Sequence, residues 1–377
     1  HGAAAKAVVG MKIRRLQGHV GSTPARGTPA ILRTLVTISV GLVGFGLSAR
    51  QLQLPLIVAA GMSIAGVVTR QASAVQATLP GTRVLPDIEA LLALQPLDLV
   101  VIATPNHLHC AQALLALEHG KHVVVDKPLA RSTLEADRLI EAAARHDRKL
   151  AVFQNRRWDS DFLTIERIVA EDMLGPIVHF EARWDRYRPA VSDRWREQPQ
   201  FGGGMLFDLG SHLIDQSLCL FGMPQWLQAD VFAQRSGAIA DDGFELRMGK
   251  GNLRITLGVS SIAADHALRY RIHGLKASYR KSGMDVQEAQ LVAGLFPGDP
   301  AFGVEPQAQW GQLVGAGGSG EYAVSAERGR WLEFYHAMRR SIEEDAPVPV
   351  SAQQARKVLT VIEAARRSNL EGRRIDI

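Results

Sequence analysis

Acidic residues are missing from the first 86 positions of this 377-residue chain, and Asp87 is the first. Cysteine is almost as scarce: Cys110 and Cys219 are the only two. They lie far apart and beside no metal-type ligand cluster, so reduced intracellular thiols are expected rather than a disulfide framework or a zinc site. No uninterrupted apolar run approaches the roughly 20 residues of a membrane span, so no membrane partner is expected. No internal repeat is present. The formal charge of +5 does not signal a nucleic-acid partner either. Residues 1–34 hold Lys6, Lys12, Arg14, Arg15, Arg26 and Arg33 without one acid, which exceeds the whole surplus. Such an excess in a Gly/Ala/Pro-containing stretch, not on a folded face, reads as a basic mobile tail over 1–34, with Met11 as an alternative start. Arg14-Arg15 before the apolar run Leu35–Ala49 is similar to a secretion signal. The same run supplies the first strand of the domain argued next, so a cytoplasmic protein is expected.

What is present is an alternation of buried strands and helices. A chain of this length accommodates about two domains. Leu35–Val43 is a β-branched apolar run, Ser63–Thr69 a second, Asp98–Ala103 a third, His122–Val125 a fourth and Leu150–Gln154 a fifth. Between them lie helical stretches at Arg50–Ala60 (interrupted by Pro55), Asp87–Leu94, His109–His119 and Ser132–His146. The last opens with a Ser132/Glu135 capping box. Alternation of this kind indicates a parallel, doubly wound sheet over residues 35–156. After Arg157 the pattern changes to period two, with strands at Ile177–Tyr187, Trp226–Gln234, Gly243–Met248, Asn252–Ser260 and Arg269–His273. A mainly antiparallel open sheet in an α/β domain is therefore expected over 157–350. Phe296–Gly320 reads as a long functional or interface loop. Residues 351–377 hold a helix that packs back on the body.

Three constellations carry chemistry. The turn Gly44-Phe45-Gly46-Leu47-Ser48-Ala49 follows a strand and opens a helix, so its backbone N–H groups can approach a pyrophosphate. At the end of the second strand, where an acid usually binds the ribose hydroxyls of NAD, stand Thr69 and Arg70. These favour a 2′-phosphate, hence NADP over NAD. Lys127 lies just past the carboxyl end of a buried strand, in Asp126-Lys127-Pro128, where ligands of such sheets bind. Finally, Gly202–Asp215 places Asp208 and His212 four apart on one helix face. A histidine that moves a proton beside a carboxylate that orients it suits general acid–base work. The pair could also ligate a metal, but no third ligand is placed by sequence, and none is expected.

Taken with Thr104-Pro105-Asn106-x-x-His109, Gln154-Asn155-Arg156-Arg157-Trp158-Asp159 and the C-terminal Pro347–Ser351, Ala355–Asn369 and Gly372-Arg373, these motifs resemble the Gfo/Idh/MocA oxidoreductases. That family includes glucose-fructose oxidoreductase and inositol dehydrogenase. The resemblance spans residues 35 to 377 and implies an N-terminal Rossmann domain with a C-terminal open-sheet domain. It implies hydride transfer between a nicotinamide cofactor and a hydroxyl or carbonyl carbon of a sugar, polyol or related small molecule. Lys127 would touch both nicotinamide ribose and the reacting hydroxyl, Asp208 would bind substrate, and His212 would transfer the proton. Phe45, Ser48, Ala49, Thr104, Pro105, Asn106, His109, Asp126 and Gln154 would line the cofactor, and Asn155 and Arg157 would border the cleft. The open sheet would form a homodimer or homotetramer. Two departures stand out: Asp126 where most members have Glu, and the basic tail. An NAD-dependent glycosidase of the same fold and a non-catalytic NADP-sensing regulator are the alternatives.

Overall fold

The computed structural model describes residues 37–377. The tail over 1–34 and the first two residues of the expected opening strand lie outside them. The N-terminal sheet is built from β1 (Ser39–Val43), β2 (Ser63–Val68), β3 (Arg83–Leu85), β4 (Leu99–Ile102), β5 (His122–Asp126) and β6 (Leu150–Phe153). All are parallel, in the order β3-β2-β1-β4-β5-β6. Strands β1, β4 and β6 are buried at every residue, because helices cover both faces of a doubly wound sheet. Those helices are α1 (Leu54–Ala59), α2 (Ala72–Thr78), α3 (Ile88–Leu92), α4 (Asn106–Glu118) and α5 (Thr133–Arg145). Pro55 does not break its helix. A wide π-type turn, Ser48–Gln53, precedes it and places the proline in the first turn of α1, where no N–H is needed. The capping box at α5 is half formed. Ser132 accepts from the Glu135 N–H, while the Glu135 carboxylate turns instead to the backbone and side chain of Arg131.

The second sheet follows α6 (Ser160–Ala170). It contains β7 (Ile177–Arg183), then, after α7 (Ser211–Phe221), β8 (Trp226–Phe232), β9 (Gly243–Lys250), β10 (Leu253–Ser260), β11 (Leu268–Gly274) and β12 (Ala277–Ser282). After α8 (Gln287–Val292) come β13 (Gln312–Gly315) and β14 (Glu321–Ala323), and a late strand, β15 (Ile375–Asp376), completes it. The order is β14-β13-β12-β11-β7-β10-β9-β8-β15, antiparallel except for the parallel β7/β10 pair. Along β11 and β12 the buried Tyr270, Ile272, Ala277 and Tyr279 alternate with more exposed residues, the pattern of a sheet covered on one face. The expected loop Phe296–Gly320 contains a strand, β13, followed by a 3-10 turn over Ala316–Gly318. The single inward residue of β13, Leu313, is too short a signal between glycines to be read as a strand.

The chain then returns to the first sheet. α9 (Leu332–Glu343) packs against α1, where buried Tyr335 donates its hydroxyl to Gln53 at 2.6 Å. Val152 of β6 donates its N–H to the Val350 carbonyl, which closes that edge of the sheet. α10 (Ala352–Glu371) follows, opened by a full Ser351/Gln354 capping box, and lies against α5, α7 and β8. Among the described residues no helix is long and apolar enough to cross a membrane.

Candidate active site

The carboxyl ends of β1, β2, β4 and β5 open into a cleft of about 840 Å³. Gly44 sits at φ +95°, and a Cβ there would fall 2.6 Å from the Ala103 carbonyl oxygen, so the tight turn admits only glycine. Gly46 is the opposite case. A Cβ there would meet nothing within 4 Å, because its backbone faces the open cleft. That empty approach, at the head of a helix, fits a dinucleotide pyrophosphate. Phe45, Ser48, Thr69, Arg70, Thr104, Pro105, Asn106, Asp126 and Lys127 all line the same cleft.

A smaller space of about 300 Å³ shares Leu47, Ser48, Asp126, Lys127, Arg196 and Asp208 with this cleft and adds Asn155 and His212. Lys127 is the hinge between them. Its Nζ donates to Asp208 Oδ1 at 2.8 Å and to the Asp208 carbonyl oxygen, with the two side chains 13% and 19% exposed. The Asp126 carboxylate accepts the Lys127 N–H at 2.8 Å and so fixes the turn. Burial works to raise the Asp208 carboxyl, but Lys127, Arg196 and Arg186 together hold it below the usual carboxylate range.

His212 lies one turn on, in the first turn of α7, with its ring 5.6 Å from that of Trp184. The expected orienting bond from Asp208 is not made. Asp208 sits in a wide π-type turn (Leu206–Gly210) and its carboxylate is spent on Lys127, while His212 Nδ1 is buried without a hydrogen-bond partner. Burial first, then Lys127, Arg156, Arg269 and Arg186, push the imidazole well below its ordinary value. It is therefore neutral near pH 7, able to accept a proton.

Two models describe this chain: an NAD-binding Rossmann domain of the oxidoreductase family matches residues 38–154, and that family's C-terminal alpha/beta domain matches 167–377. The chain belongs to the Gfo/Idh/MocA family. Among Gfo/Idh/MocA relatives, it is 37% identical to scyllo-inositol 2-dehydrogenase (NADP(+)) IolW of Bacillus subtilis, over 91% of this chain and 97% of that one. It is 38% identical to the oxidoreductase YdgJ of Escherichia coli, over 86% and 94%. The solved structure of the oxidoreductase yvaA from Bacillus subtilis superposes with a TM-score of 0.87 at 36% identity, covering 92% of this chain and 99% of that chain. This Gfo/Idh/MocA protein is accordingly an NAD(P)-dependent oxidoreductase acting on CH–OH groups, with sugar and polyol dehydrogenases as its family class.

Within the family frame, four residues named from sequence stand back from the site. Arg157 points away from both spaces: it grips Asp215 through two bonds of 2.8 and 2.6 Å and reaches Gln354 of α10. Its neighbour Arg156 faces the smaller space instead, sandwiched between Trp184 and Trp331 at 4.8 and 4.9 Å. His109 is fully buried and braces two loops, with ring nitrogens 2.9 Å from the carbonyls of Pro128 and Thr104. Ala49 and Gln154 are buried behind the lining. The sequence reading missed Trp195, Arg196 and Phe201, on a strap between β7 and α7 that crosses to the cofactor cleft. Asn106 of α4 ties this strap down, donating to the Gly202 carbonyl at 2.7 Å, while Phe201 packs against His107 with ring centroids 4.8 Å apart and the planes tilted by 38°. The one available signal was a density of arginines (Arg186, Arg188, Arg194 and Arg196) within eleven residues.

Proposed function

We propose that this chain is an NADP-preferring dehydrogenase of a polyol or sugar, working as a homo-oligomer through the open face of its nine-stranded sheet. The observation that carries the reading is Lys127 at the junction of the two spaces, charge-paired to Asp208, with a neutral His212 in the smaller one. Gly44, Gly46 and Ser48 would hold the pyrophosphate. Thr69 and Arg70 line the adenosine end with no acid to repel a 2′-phosphate, which supports NADP, as does the NADP(+) in the name of IolW.

When bound, the nicotinamide supplies the hydride acceptor or donor. The chain's own residues manage charge and protons. In the oxidative direction His212 takes the hydroxyl proton, and the Lys127 ammonium stabilises the negative charge growing on that oxygen. Asp208 anchors the ammonium in place and offsets its burial. Trp195 and Phe201 line the cleft above.

Fluorescence titrations with NADPH and NADH, followed by a polyol and sugar screen, test the reading. Lys127→Met lowers turnover by about a hundredfold to a thousandfold while NADPH still binds. Unchanged turnover in that variant would remove Lys127 from the reaction.

A further inference from the structure

The smaller space carries far more positive charge than a neutral polyol requires. Lys127, Arg156, Arg186, Arg188, Arg194 and Arg196 all line it, against Asp126, Asp208 and Glu288. The acids are already occupied. Asp208 holds Lys127 and lies 3.5 Å from Arg196, Glu288 holds Arg156, and Asp126 accepts the Lys127 N–H. Of the three acids of the neighbouring segment, Asp185 and Glu197 are taken by Arg183 and Arg235, and exposed Asp193 makes no ion pair among the described residues. Among the described residues no carboxylate pairs with Arg186, Arg188 or Arg194.

Arg186 is the telling member. Its guanidinium lies 5.6 Å from the Trp184 ring, half-buried and short of any ion pair. Burial disfavours its charge, and only the more distant Asp208 and Glu288 favour it. Holding an uncompensated guanidinium there is costly unless a ligand supplies the counter-charge. Arg186, Arg188 and Arg194 line the smaller space together with His212 and not the dinucleotide cleft, although Leu47 and Ser48 of the phosphate cradle border both.

Resting on the dehydrogenase reading above, we infer that the substrate is an anionic polyol or sugar. Its carboxylate or phosphate ester sits against Arg186, Arg188 and Arg194, and its reacting hydroxyl lies between Lys127 and His212. A planar guanidinium fork recognises either oxyanion. Arg186 is then the residue that sets specificity, binding the end of the substrate that does not react.

The test compares kcat/KM of the full chain with NADP for glucose, glucuronate and glucose 6-phosphate, a neutral sugar and its two anionic counterparts. At least one anionic sugar is preferred over glucose by about tenfold or more, the scale of one hydrogen bond to a charged group. Arg186→Met cuts that preference by about tenfold, and Arg186→Lys retains part of it. NADPH titration confirms that each variant is folded, and Arg194→Met serves should Arg186→Met not fold. Calorimetry of the NADPH-loaded protein with glucuronate and glucose 6-phosphate reads the anion site without turnover. Binding there that weakens in Arg186→Met supports the inference even where no panel member reacts. Absence of turnover across the wider polyol and sugar screen counts instead against the dehydrogenase reading. Equal or better use of glucose, a preference unmoved by Arg186→Met, or no anion binding to the NADPH-loaded protein would overturn the inference.

Discussion

Arg235 reaches across to the strap that carries Trp195 and Arg196, and its removal should open the site without touching it. Its side chain is 2% exposed. Nη2 meets Glu197 at 2.6 Å, Nε meets Asp242 at 3.1 Å, and Nη1 reaches the carbonyls of Arg188 and Ala190. Breaking a buried pair by deleting one partner costs roughly 3–5 kcal/mol when the other charge is stranded. The two carboxylates differ in how far they are stranded. Asp242 keeps the backbone N–H groups of Gln234 and Arg235 at 2.8 Å each, whereas Glu197 has Arg235 alone but is 14% exposed and can turn to water. The expected cost of Arg235→Met is therefore about 2 kcal/mol, the value of a charge-assisted hydrogen bond rather than of a stranded ion. Expressed locally, amides of residues 190–203 should lose hydrogen-exchange protection by about thirtyfold, with a parallel weakening of NADPH binding. Adding Glu197→Gln to Arg235→Met should recover part of the loss, because Glu197 then carries no charge to strand while Asp242 keeps its two backbone N–H groups. Strap exchange and NADPH affinity unchanged in Arg235→Met would refute the clamp.

Other perturbations separate the parts of the site. Arg70→Ala should weaken NADPH binding by about tenfold to a hundredfold and leave NADH within about threefold, read by fluorescence titration. Gly44→Ala should abolish binding of both cofactors, since its φ and the approach to the Ala103 carbonyl both reject a Cβ. Loss confined to one cofactor would contradict this. The depressed proton affinity of His212 places the acid limb of kcat/KM for oxidation below pH 6.5, because the imidazole stays neutral down to its lowered folded value. The same shift withdraws stability as pH falls through that range, since the unfolded imidazole takes up its proton first. A limb at or above 6.5 assigned to His212 by its loss in His212→Ala would show that the cations named here do not act on the ring.

The Rossmann half was legible because its strands are short runs of uniformly apolar, β-branched residues set between glycines and helices. Leu99–Ile102 and Leu150–Phe153 have no polar face to confuse the reading. β3 escaped notice because three residues, one of them Arg83, carry no periodicity. α9 could not be placed from sequence, because its docking onto α1 rests on a bond between residues 282 apart. The site shows the same division. The address of Lys127 at a strand end and the spacing of His212 from Asp208 were legible, and both residues line the smaller space. Which of two adjacent arginines faces that space was not. Arg156 and Arg157 share a tight 3-10 turn, and only the positions of Trp184 and Trp331 on one side and Asp215 on the other decide between them.

The bond from Lys127 to Asp208 joins a residue at the tip of one sheet to a residue on the approach to a helix of the other. Lys127 is therefore masked only while the two halves are docked. Any event that parts them exposes its amine to acylating reagents at the same instant that it breaks the pair with Asp208. The modification rate of Lys127, followed by peptide mass spectrometry, becomes a clock for how often the halves separate. A hybrid carrying a foreign second half would need an acid at the equivalent of Asp208 before its nucleotide half could be chemically silent.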